Sequence, residues 1–146
     1  MTLDIERIER KSAYIREQIN TINKITKTYG EQELFKDPLK LSGLKYLLQM
    51  SIEAMIDIAY HVAAKEFCYP PNDARDALKA LMEKGVISAS EFDTYVAMVG
   101  LRNRLVHGYE RVSPEVLYGI ITKQLDDFEK FIGLIMPIIR LSKSDR

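Results

Sequence analysis

Apolar residues recur every three to four positions along most of the chain, and short polar segments with glycine or proline separate the apolar stretches. This spacing is typical of α-helices that bury one face. Five stretches follow it, so we expect helices at about 3–29, 38–67, 73–84, 88–108 and 113–139. The second stretch is apolar on nearly all sides, which predicts a central helix.

Residues that begin or end helices flank these stretches. Asp37-Pro38 and Ser113-Pro114 each pair a capping side chain with a proline at the first helical position. Ser88 and Glu91 have the spacing of a capping box, and Asn72 or Asp73 can cap the third helix. We expect Pro137 to kink or fray the end of the last helix.

No segment alternates with period two for long enough to predict a strand, so the sequence predicts an all-α fold. We expect an up-and-down bundle of about five helices, four of them long, in a single domain that spans 1–146.

Charge and composition narrow the function. The 21 basic and 21 acidic residues cancel, so any nucleic-acid site must be local. The single cysteine, Cys68, fits a reducing cytosol and favours a small buried residue over a nucleophile. No apolar run has the length of a signal peptide core or a membrane span, so we expect a cytoplasmic protein without membrane contact. No glycine-rich phosphate loop occurs, and we expect neither a cofactor nor a metal.

The polar segment LRNRLVHGYE, 101–110, lies between two apolar stretches at a predicted helix end. We expect Gly108 to end the helix, at positive φ if it behaves as a typical C-terminal glycine. His107 then lies on the last turn, where its cationic form is favoured. The same residues could serve only to stabilise the helix end, and spacing alone does not separate these two interpretations.

Histidine exchanges protons near neutral pH, and arginine presents a planar fork that fits phosphate oxygens. His107 could therefore act as general base or acid at an RNA 2′-hydroxyl or leaving oxygen, while Arg102 stabilises the charged phosphorane. One histidine cannot easily do both jobs, which favours a two-fold dimer that brings two motifs together.

Glu53, Asp57 and His61 are spaced four apart on the second helix and share one stripe. Glu53 or Asp57 could pair with Arg102 or orient His107. Alternatively, the stripe faces water. A metal site is improbable because a third ligand is lacking.

Arg102, His107 and Tyr109 match the R-x4-H-x-Y signature of HepT-like toxins, a branch of the HEPN superfamily that the chain resembles. The segments LQMSIEAMIDIAYHVA and VGLRNRLVHGY are also similar to that branch, including Asn103 directly after the arginine. The likeness covers nearly the whole chain.

The resemblance implies a metal-independent endoribonuclease, the toxin of a type II HEPN/MNT toxin–antitoxin system, that works on RNA as a homodimer. Arg102 and His107 would be catalytic and Asn103 supporting. A minimal nucleotidyltransferase antitoxin would inactivate the toxin by transferring AMP to Tyr109. Without the resemblance, we would interpret Tyr109 as an aromatic residue packed over the helix end. The alternative function is a non-catalytic HEPN-type module that binds a nucleotide or protein.

Overall fold

The computed structural model describes residues 2–108 and 112–144. These ranges hold seven α-helices and no strand, which confirms the all-α class. The helices are α1 Ile5–Thr28, α2 Glu31–Phe35, α3 Pro38–Lys65, α4 Ala74–Glu83, α5 Ala89–His107, α6 Pro114–Lys123 and α7 Asp126–Ser144. The four longest, α1, α3, α5 and α7, have 19 to 28 residues each.

The predicted capping residues begin their helices. The Asp37 carboxylate accepts hydrogen bonds from the N–H groups of Leu39 and Lys40. Ser88 and Glu91 form both hydrogen bonds of a capping box at the start of α5. The Ser113 hydroxyl accepts from the N–H of Val116, and Asp73, rather than Asn72, caps α4. Each contact satisfies N–H groups that have no partner inside the helix.

The helix count of about five was too low for two reasons. The predicted polar link after Gly30 contains the short helix α2. The predicted helix over 113–139 is two helices, because α6 ends at Lys123 and α7 begins at Asp126. Pro137 also does not mark the end of the chain's last helix, since α7 continues to Ser144.

Helix α3 is central, as its all-round apolar pattern predicted, because it contacts each of the other six helices described. Buried apolar side chains from all seven helices form one cluster. Helix α1 packs along α3, and an ion pair between Arg16 and Glu129 joins α1 to α7 with an N···O distance of 2.7 Å. Cys68 is exposed at a φ of 53°, so the expectation of a small buried residue was wrong. None of the described helices has the length and apolarity to cross a membrane.

Candidate active site

The polar segment forms the last turn of α5. The helix ends at His107, and the N–H of Gly108 donates to the carbonyl oxygen of Arg104 at 2.8 Å. Gly108 therefore ends the helix as expected. Its φ is −152°, however, so it does not adopt the left-handed conformation of a typical C-terminal glycine.

Successive residues on α5 are rotated by about 100°, which sends the motif side chains to different sides. Leu101 and Leu105 are buried and hold this turn on the core. Arg102 lies about 60° from Leu105 around the axis and is half-buried. Asn103 and His107 are exposed. The motif thus has an inward-facing guanidinium and an outward-facing imidazole and amide.

Arg102 is anchored to α3 by Glu53. Its Nη1 donates to Oε1 of Glu53 at 2.8 Å, and the two side chains are only 23% and 32% exposed. The Nε of Arg102 is buried without a hydrogen-bond partner among the described residues. A buried donor left unpaired costs about 1–3 kcal/mol, more when the group is charged. Such a group is a candidate for function rather than for stability alone.

The stripe of Glu53, Asp57 and His61 does not act as one unit. Glu53 contacts Arg102, whereas Asp57 accepts from Lys11 Nζ on α1 at 3.0 Å. His61 is buried, and its Nε2 accepts from the backbone N–H of Asp4 at 2.8 Å. The stripe therefore connects α3 to α5 at one position and to α1 at the other two, so neither sequence interpretation holds for all three residues.

Tyr60 is a neighbour of the motif that sequence reasoning missed. Burial is the main cause that raises the pKa of its phenol, and Asp73 raises the pKa further, while the positive charge of Arg102 lowers it. The Tyr60 phenol therefore lies within the electrostatic field of Arg102. The position carries no motif, and only its distance of seven residues from Glu53, two helical turns, could have suggested it.

A cleft of about 460 Å³ lies where α5 meets α3, α6 and α7. Leu101 and Arg104 line it from the motif, and Val116 and Ile120 line it from α6. Val116 is 45% exposed and Val106 is 40% exposed. The motif is therefore bordered by apolar surface that faces solvent in one copy of the chain.

Two further expectations concern Tyr109 and the absence of a metal site. Tyr109 lies outside the described residues. Within 2–108 and 112–144, no three histidine, cysteine, aspartate or glutamate side chains are grouped so that they could hold a metal ion.

Comparison with known proteins defines the class. A family model described as Ribonuclease HepT-like matches residues 15–135. An mRNA nuclease HepT from Shewanella oneidensis is 34% identical over 115 residues, which cover 78% of this chain and 86% of the relative. A putative RNase from Archaeoglobus fulgidus is 29% identical over 134 residues, which cover 92% of this chain and 94% of the relative.

A solved structure extends the likeness to the whole fold. The tri-AMPylated HEPN toxin of Shewanella oneidensis, in complex with an MNT antitoxin, superposes with a TM-score of 0.82 at 30% identity, covering 92% of this chain and 98% of that one. The family model describes a ribonuclease, and both relatives are named as RNA nucleases. The chain belongs to the Ribonuclease HepT-like family.

Proposed function

We propose that this protein is the ribonuclease toxin of a type II HEPN/MNT toxin–antitoxin system. The observation that carries the proposal is the placement of R-x4-H at the end of α5, with Arg102 held by Glu53 and His107 open to solvent. Relatives named as an mRNA nuclease and a putative RNase support the same activity.

The reaction that fits these groups is an internal transesterification at an RNA phosphodiester. The 2′-oxygen attacks phosphorus as His107 removes its proton, and the bond from phosphorus to the 5′-oxygen breaks when that oxygen is protonated. Arg102 stabilises the negative charge on the phosphorane. The products are a 2′,3′-cyclic phosphate and a free 5′-hydroxyl. Because the nucleophile belongs to the substrate, no metal-bound water is required.

A homodimer would bring the separated groups together. Arg102 and His107 are about 140° apart around α5, and one histidine serves poorly as both base and acid. A two-fold axis beside the motif would supply a second histidine and would cover Val106 and Val116, the exposed valines beside it. Light scattering at micromolar concentration tests this, and a monomer would contradict the shared cleft.

Regulation would act at the residue after Gly108. A minimal nucleotidyltransferase antitoxin would transfer AMP to the Tyr109 hydroxyl, which adds negative charge and bulk beside the phosphate site. The solved relative in complex with its antitoxin is itself tri-AMPylated. Asn103, exposed beside His107, would support substrate binding.

The direct test is cleavage of a defined RNA in EDTA by the wild type and by His107→Ala, at equal folded content. We expect the wild type alone to cut and to leave 2′,3′-cyclic phosphate ends, and a 2′-deoxy substitution at the cut site to block cleavage. Intact mass first shows whether Tyr109 carries AMP. If unmodified, folded wild type does not cut RNA, the protein is a binding module and the proposal fails.

A further inference from the structure

A groove of about 670 Å³ runs between α1 and α3 on the side of the fold where Glu53 holds Arg102. We call it the α1–α3 groove. Its polar and aromatic lining comprises Asp4 at the N-terminal cap of α1, Arg7, Arg10, Lys11 and Tyr14 from α1, and Glu53 and Asp57 from α3. Arg7, Arg10 or Lys11, and Tyr14 follow the spacing of one helical face, so α1 presents three cations and an aromatic ring to the same space.

The groove meets the candidate active site at Glu53. Glu53 lines it, and the same carboxylate binds Nη1 of Arg102. A second concavity, lined by Tyr60 and His61, shares Arg7 and Asp57 with it. From Met50 to Ala64, the α3 residues along these two concavities span about 21 Å of helix. A strand bound at Arg102 could therefore continue along α1.

Three cations and three carboxylates line the groove, and each carboxylate already has a partner. The Asp4 carboxylate accepts from the backbone N–H of Arg7. Glu53 is paired with Arg102, and Asp57 with Lys11. Arg7 makes no side-chain hydrogen bond or ion pair within the described ranges, although it lines both concavities. Among the residues that the structure describes, Arg10 pairs only with Glu6, in an exposed contact one turn away that contributes little and that a phosphate could replace.

We propose that the α1–α3 groove binds the single-stranded RNA that flanks the cleavage site, with Arg7 and Arg10 contacting backbone phosphates. This inference rests on the proposed ribonuclease function. A cationic track beside exposed aromatic rings is the usual construction of a single-strand site, and half-buried Tyr14 offers such a ring.

The test measures binding of a fluorescent single-stranded RNA of about 12 nucleotides, a length comparable to known single-strand sites. The protein carries His107→Ala throughout, so that no RNA is cut. Arg7→Gln with Arg10→Gln is compared with Lys24→Gln with Lys27→Gln, which removes the same charge from exposed positions near the other end of α1. Circular dichroism and melting confirm that both proteins are folded.

We expect Arg7→Gln with Arg10→Gln to weaken binding of unrelated sequences alike and to flatten the plot of log affinity against log salt by about 1.4, the value for two phosphate contacts on a single strand. The control pair should keep the slope of the protein that carries His107→Ala alone. Equal effects of the two pairs would overturn the inference. If the wild type cleaves RNA in the separate assay but the two pairs of substitutions behave alike, only this inference fails. If the wild type neither cleaves nor binds RNA, the proposed function fails with it.

Discussion

Nη1 of Arg102 on α5 donates to Oε1 of Glu53 on α3 across 2.8 Å, although 49 positions separate the two residues in the chain. The contact fixes the guanidinium that we propose as the phosphorane-stabilising group. Glu53 acts through Arg102, so it is a positioning residue.

Glu53→Gln should lower kcat for RNA cleavage by roughly 10- to 100-fold, because a small misplacement of a catalytic group is costly. KM should change less, since the groove cations remain. Steady-state cleavage of a defined RNA measures both constants. The matched control is Glu129→Gln, which removes another interhelical ion pair, that with Arg16. An equal loss in both variants would reduce Glu53 to a structural role.

Arg102→Ala should reduce kcat by about 100- to 1,000-fold, the usual effect of removing one donor to a developing charge. Arg102→Lys keeps the charge but loses the planar fork, so it should stay close to the alanine variant. Single-turnover cleavage at saturating protein isolates the chemical step. Near-complete activity in the lysine variant would mean that charge alone suffices and that the contact with Glu53 is dispensable.

Replacing each of two glycines with alanine should change the free energy of unfolding in opposite directions. Gly85 ends the α4 region at a φ of 77°, where a side chain is strained, so Gly85→Ala should lower the free energy of unfolding by about 1–2 kcal/mol. Gly43 is exposed within α3, and a Cβ there meets nothing within 4 Å, so Gly43→Ala should raise that free energy by roughly 0.5–1 kcal/mol. Urea denaturation at equal protein concentration measures both. Changes of the same sign would contradict the helix assignments.

The sequence predicted helices well where their ends carry chemical signals. Asp37, Ser88 and Ser113 cap helices as expected because their side chains satisfy free N–H groups. The end of α6 was missed because no glycine or proline lies there. Leu125 and Phe128 also keep the apolar spacing across the break, since both are buried in the same core.

The site was only partly predictable. Residues that share a helix face, such as Asn103 and His107, follow from spacing alone. The pairing of Glu53 rather than Asp57 with Arg102 depends on how α3 and α5 pack, and the partners of Asp57 and His61 come from α1. No periodicity within one helix contains that information. The α1–α3 groove was missed for the same reason.

His61 ties the start of α1 to the centre of the fold. Its Nε2 can accept the N–H of Asp4 only while the ring is neutral at that nitrogen. Burial is the main cause that lowers the pKa of His61. The charges of Arg7 and Lys65 lower it further, and Asp4 raises it. The folded state therefore binds a proton at His61 less readily than the unfolded chain does.

This lowered pKa predicts a loss of stability in mild acid that depends on His61. The stabilising contribution is fully present above the ordinary histidine pKa of about 6.5 and is lost as the pH falls through the lower folded-state value. His61→Gln retains an acceptor but cannot titrate, so its melting temperature should fall less than that of the wild type between about pH 7.5 and 5. Calorimetry across this range tests the difference. His107→Gln, measured in the same way, shows how much of the change in melting temperature depends on the only other histidine. Parallel curves for His61→Gln and the wild type would show that the contact between His61 and Asp4 does not respond to pH.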